Sequence, residues 1–78
     1  MVHATRNLAI CLRNDGYEVS LERRKIYLTI PDELAAKHQL LRVIDESGED
    51  YLFPASWFAA LKLPAPTKRA VMAAVSPS

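Results

Sequence analysis

Covalent and metal staples are scarce in this chain. Its 78 residues include a single cysteine, Cys11, so no internal disulfide can form. No cluster of cysteine and histidine at zinc-binding spacing accompanies it, and a reduced thiol buried in the core is the expected state. Glycine is also rare. Gly16 and Gly48 stand alone, which excludes a glycine-rich phosphate loop. No stretch approaches the ~18 apolar residues that cross a bilayer. The apolar run Leu8 to Leu12 is short, is closed by Arg13 and does not follow a signal-peptide pattern, so a soluble cytoplasmic protein is expected. Charge of one sign is lacking too. A net charge of +1 gives no global electrostatic case for a nucleic-acid partner. Neither an internal repeat nor a low-complexity tract is present.

What is there fits one small domain. A core this size gives a stability of about 3–5 kcal/mol unless an oligomer adds to it. Leu8, Ile10 and Leu12 alternate with other residues and predict a strand with those three on one face. Asn14-Asp15-Gly16 predicts a hairpin turn, since Asp-Gly tolerates positive φ. A second strand is expected over 17–22, with Tyr17, Val19 and Leu21 inward. Ile26, Leu28 and Ile30 continue the apolar set on the opposite parity. A turn or bulge within Glu22-Arg23-Arg24-Lys25 must absorb that shift.

Pro31 ends this strand. Residues 31–39 are helix-like, with acids early and Lys37 and His38 late, as the helix dipole favours. Two turns are not stable alone, and Leu34 is expected to pin them. A central strand over 40–45, a turn at 46–49 using Gly48, and a returning strand over 50–53 follow. Pro54-Ala55-Ser56-Trp57 predicts one helical or 3₁₀ turn, and 58–63 the closing strand. Pro64-Ala65-Pro66 is expected to be a stiff extended stop. Thr67 is the candidate cap of a short helix over 68–75 that shares Val71, Met72 and Val75 on one face. Met1 to Asn7 reads as a mobile lead-in or a late edge, and Ser76-Pro77-Ser78 as a disordered end.

These elements predict a mainly β fold, a small barrel of five to six short strands with one short helical insertion and a C-terminal helix. Residues 1–64 form the barrel and 65–78 the tail. The stretch Tyr51-Leu52-Phe53-Pro54-Ala55-Ser56-Trp57-Phe58 resembles the C-terminal signature of SH3 domains. The polar turn with Gly48 is similar to that family's distal hairpin. The first half departs from the family: it lacks the Ala-Leu-Tyr-Asp-Tyr segment and the Trp-Trp pair, and it carries the 31–39 excursion. The chain also resembles short, uncharacterised bacterial proteins that share Ile-Asp-Glu-Ser-Gly-Glu-Asp-Tyr. The resemblance implies an SH3-like barrel. In that family the proline and the aromatic of this signature line a groove that binds polyproline helices; carried over by position, the resemblance implies that role for Pro54 and Trp57, with Tyr17, Tyr27 and Tyr51 as candidates for the other groove aromatics.

Non-enzymatic protein binding is the leading expectation, with Trp57, Pro54, Phe58 and Tyr51 as the contact residues, because aromatic anchors carry interface energy. The alternative is an RNA- or DNA-binding module that uses Arg23, Arg24 and Lys25, joined by Arg13 and Arg42, with an aromatic to stack on a base. A third option is a subunit whose sheet edge completes a larger assembly. No cofactor and no catalytic set is expected. Cys11 lies in an apolar strand and His38 at a helix end, a poor setting for a nucleophile and its base. The acidic turn Asp45, Glu46, Glu49 and Asp50 lacks the ligand spacing of a dedicated calcium loop, so no metal site is expected.

Overall fold

The computed structural model describes residues 6–75. The expectations for residues 1–5 and for the Ser76–Ser78 end lie outside the described residues; Asn7, expected in the lead-in or a late edge, opens the first strand. The strands are β1 (Asn7–Cys11), β2 (Ile26–Ile30), β3 (Leu40–Ile44), β4 (Asp50–Pro54) and β5 (Phe58–Leu61). Helix α1 (Glu33–Lys37) links β2 to β3, a 3₁₀ turn (Ala55–Trp57) links β4 to β5, and helix α2 (Ala65–Val75) follows. All pairings are antiparallel, in the order β4-β3-β2-β1-β5. β4 and β5 are the edges and do not pair, so the five described strands form an open sheet and not the closed barrel that the sequence predicts.

One face of the sheet carries the core: Ala9, Cys11, Tyr27, Val43, Phe53 and Phe58, joined by Leu21 from the β1–β2 connection. Leu8 and Leu28, direct partners on the other face, are also buried. Helix α2 packs against β2, and its Val75 lines a cavity of about 160 Å³ beside Ile26 and Leu28. Both faces of β1 are therefore covered. Leu8 and Ile10 share one face of β1 as expected, but the core cluster lies on the other face. Small Ala9 and Cys11 sit opposite bulky Tyr27 and Phe58, while Leu12 lies past the strand and is exposed. A strand covered on both sides loses its simple alternation.

The predicted strand over 17–22 does not form. The Asp15-Gly16 turn is there, with Gly16 at φ 81°, but tight turns follow it. Tyr17 N–H donates to Asn14 C=O (2.8 Å), and Ser20 and Leu21 N–H both donate to Tyr17 C=O. Leu21 alone points into the core; Val19 is 93% exposed. The turn expected within 22–25 is present, with Arg24 at φ 71° and its N–H returned to Cys11 C=O (2.7 Å), but the parity shift it was to absorb is not there: no strand precedes it, and Leu21 and Tyr27, of equal parity, both join the core.

Asp32 caps α1 by accepting from Ala35 N–H (2.9 Å). Ala35, not Leu34, faces inward; Leu34 is 68% exposed. A cap at Asp32 sets the helical phase and so decides which residue turns to the sheet. Helix α2 starts earlier than expected. Lys68 N–H donates to Pro64 C=O (2.8 Å), so Pro66 lies in the first turn, where its missing N–H costs nothing, and Thr67 is not the cap. β5 ends at Leu61.

Candidate functional site

An aromatic cluster forms where the β1–β2 connection crosses the β4 end of the sheet. Phe53 is buried and supplies the floor. Tyr17 stands edge-on to Phe53 (ring centroids 5.4 Å apart) and to Trp57 (5.7 Å). Trp57 stacks on Phe53 at 6.5 Å. Edge-to-face pairs at such spacings add to simple burial. Tyr17 is 50% exposed and Tyr51, on the same face of the sheet as Phe53, is 48% exposed. With Ser20, Asp45, Ser47 and Leu52 these rings line an open cleft of about 340 Å³.

The sequence-predicted contact residues divide by placement. Trp57 is half-buried and joins the cluster from the 3₁₀ turn. Pro54 is half-buried beside Leu40 in the β3–β4 ladder. Tyr51 lines the cleft. Phe58 is 8% exposed and packs in the core against Tyr27 and Phe53. Tyr17 takes the place beside Trp57 that the sequence left open among three tyrosines. Its proximity depends on how residues 14–21 fold back, and no spacing in the sequence encodes that.

Tyr27 does something else. Its ring is buried, and its hydroxyl accepts from Glu22 N–H (2.7 Å) and donates to Glu46 Oε2 (2.5 Å). Lys25 Nζ lies 2.7 Å from the same carboxylate, and Glu46 N–H donates to Ser20 C=O (3.0 Å). These bonds tie the β1–β2 connection to the β3–β4 turn, which holds Tyr17 over Phe53. Burial, then the bond to Glu46, raises the Tyr27 pKa. Lys25, then Tyr27, lowers that of Glu46 from 4.5.

Tyr27→Phe leaves Glu22 N–H without its partner and should cost about 1–3 kcal/mol. It should also flatten the acid limb. A carboxylate with a lowered folded pKa adds stability above its unfolded value, and that stability is lost as pH falls through the folded value. Less lowering means a smaller loss below pH 4.5. Urea midpoints across that range check both effects; an unchanged midpoint and acid limb would contradict the tie.

The basic residues do not converge. Lys25 pairs with Glu46, Arg13 with Asp15, and Arg42 with Asp32 (2.9 Å) and Asp50 (2.8 Å). Arg42 faces Ile30, at the far end of β2 from Lys25. Arg23 and Arg24 are exposed, and no ion pair is formed by either among the described residues. Cys11 is buried, its thiol donating to Arg13 C=O (3.2 Å), and burial raises its pKa, which disfavours the thiolate. Among the described residues no group of three or more His, Cys, Asp or Glu side chains could hold a metal ion. No described helix is long and apolar enough to cross a membrane. No protein-family model matches the chain, and no curated protein or solved structure shows significant similarity to it.

Proposed function

We propose that this chain is a small, non-enzymatic protein-interaction module with an SH3-like architecture, acting in the cytoplasm. Two features support the architecture: the strand order β4-β3-β2-β1-β5 and the 3₁₀ turn between β4 and β5. The contact face comprises Tyr17, Trp57, Pro54 and Tyr51. The observation that carries this reading is Tyr17, held half-exposed and edge-on to both Phe53 and Trp57 at the rim of an apolar cleft. An aromatic whose loop is already tied down gives contact area with little ordering cost on binding. The partner is an extended protein segment that lays apolar side chains between Tyr17 and Tyr51.

An amide-shift titration with a pool of Pro-rich peptides tests this. Shifts should cluster on Tyr17, Tyr51 and Trp57. Tyr17→Ala, which removes a ring half in solvent, should weaken binding about tenfold or more and leave the fold intact. A second reading rests on Arg23 and Arg24, which are exposed beside Lys25 on one tight turn. Shifts confined to that turn with nucleic acid, fading with salt, would replace the protein-binding reading. No shift with either titrant would sink both.

A further inference from the structure

The two edges of the sheet are finished differently. At β4, Asp50 is charged and paired with Arg42, Pro54 has no N–H to offer, and Tyr17 lies over Phe53. Charge, proline and a covering loop are the usual ways to blunt an edge. β5 reads Phe58-Ala59-Ala60-Leu61 and has none of these within the strand.

The hydrogen-bonding direction of β5 follows from its neighbour. Cys11 N–H donates to Lys25 C=O (2.9 Å), on the β2 side, and Leu12 N–H donates to Trp57 C=O (2.7 Å), on the β5 side. Alternation then turns Leu8 and Ile10 toward β5, where they face Leu61 and Ala59. Ala59 and Leu61 are thus spent on β1. The N–H and C=O of Ala60, and the C=O of Phe58, point away from the sheet. Ala60 is exposed and borders an apolar groove of about 410 Å³ with Ala9, Leu41, Ala55 and Phe58.

We infer that this edge pairs with the β5 edge of a second copy, antiparallel and two-fold symmetric about Ala60. In that register the two Ala60 residues exchange N–H···O=C bonds, and each Lys62 N–H meets the other copy's Phe58 C=O. Like residues face each other only at Ala60, where the methyl groups are small enough for close approach. Each Lys62 falls opposite Phe58, so the two ammonium groups lie at opposite ends of the pair. The methylene stem of Lys62 lies along the other copy's groove with its charge in water. Core faces meet core faces, because residues of equal parity are paired. The edge thus complements itself in hydrogen bonding and side-chain size, with no like charges face to face.

Sedimentation equilibrium of the full chain is the test. The mass should approach twice the 8.7 kDa of one chain at high concentration and fall on dilution. Ala60→Lys and Ala60→Glu should each weaken the dimer about tenfold or more, by setting like charges face to face. An equal mixture of the two variants should regain it. Ala60→Pro removes only the outward N–H and should give a folded monomer. A wild-type mass of 8.7 kDa at every concentration, a dimer indifferent to the Ala60 charges, or a mixture that stays monomeric would each overturn the inference.

Discussion

Leu21→Ala should leave this protein largely unfolded at room temperature. Leu21 is fully buried although it lies in the β1–β2 connection and in no strand. It packs in one cluster with Tyr27, Val43 and Phe53. Emptying such a site costs about 2–5 kcal/mol, the transfer term plus the cavity left behind. A domain of this length holds only about 3–5 kcal/mol in all. The loss has a second consequence. Leu21 C=O accepts from Asn14 Nδ2 (3.0 Å), and Leu21 N–H donates to Tyr17 C=O (2.8 Å), so the same residue seats the loop that carries Tyr17. Denaturant unfolding followed by circular dichroism measures the cost. Val19→Ala is the control, since exposed Val19 should change stability by no more than about 0.5 kcal/mol. If the two variants unfold alike, residues 14–21 are not seated on the core.

Phe53→Ala is the other large effect, about 3–5 kcal/mol for truncating a buried aromatic. Phe53 lies on β4 and touches Tyr17, Trp57 and Phe58. It is at once the floor of the cleft and the middle of the core. The alanine variant is therefore expected to lose the fold and, with it, peptide binding. Phe53→Leu separates the two roles. It keeps an apolar side chain in the core, so it should fold with a smaller loss, but it removes the ring against which Tyr17 and Trp57 pack. The near-ultraviolet circular dichroism of Trp57 should then weaken while the far-ultraviolet spectrum stays. A Trp57 signal unchanged in Phe53→Leu would mean that the aromatic cluster is not fixed by Phe53.

Both effects converge on the β1–β2 connection, the part of the chain that local pattern misread. Tyr17, Val19 and Leu21 alternate as a half-buried strand should. Alternation states which residues share a side of an extended segment, but a strand also needs a neighbour to take its hydrogen bonds. Here β1 pairs with β2 and β5, so residues 17–22 have no place beside β1, the strand they follow, and N–H groups among them close turns instead. The other misplacements have similar causes. Leu12 and Leu34 are apolar and exposed because the end of β1 and the phase set by the Asp32 cap leave them past the covered surface.

The sequence by itself determined the turn at Gly16, the turn before Ile26, the short α1, the hairpin at Gly48 and the 3₁₀ turn ending in Trp57. Each rests on chemistry confined to a few neighbouring residues: positive φ, a missing N–H, acids early and bases late in a short helix. It also grouped Tyr51, Pro54 and Trp57 in one short stretch, because an aromatic beside a proline is visible in one line of text. Only the tertiary structure decided that Ala9 and Cys11 face the core, that Phe58 joins it, and that Glu46 binds Lys25 and Tyr27. It likewise set Tyr17 against Trp57 and made β5 an edge strand among the described residues. Those outcomes are contacts between residues far apart in the chain. They depend on which surfaces are already occupied when the sheet assembles, and that is a property of the whole fold and not of any segment.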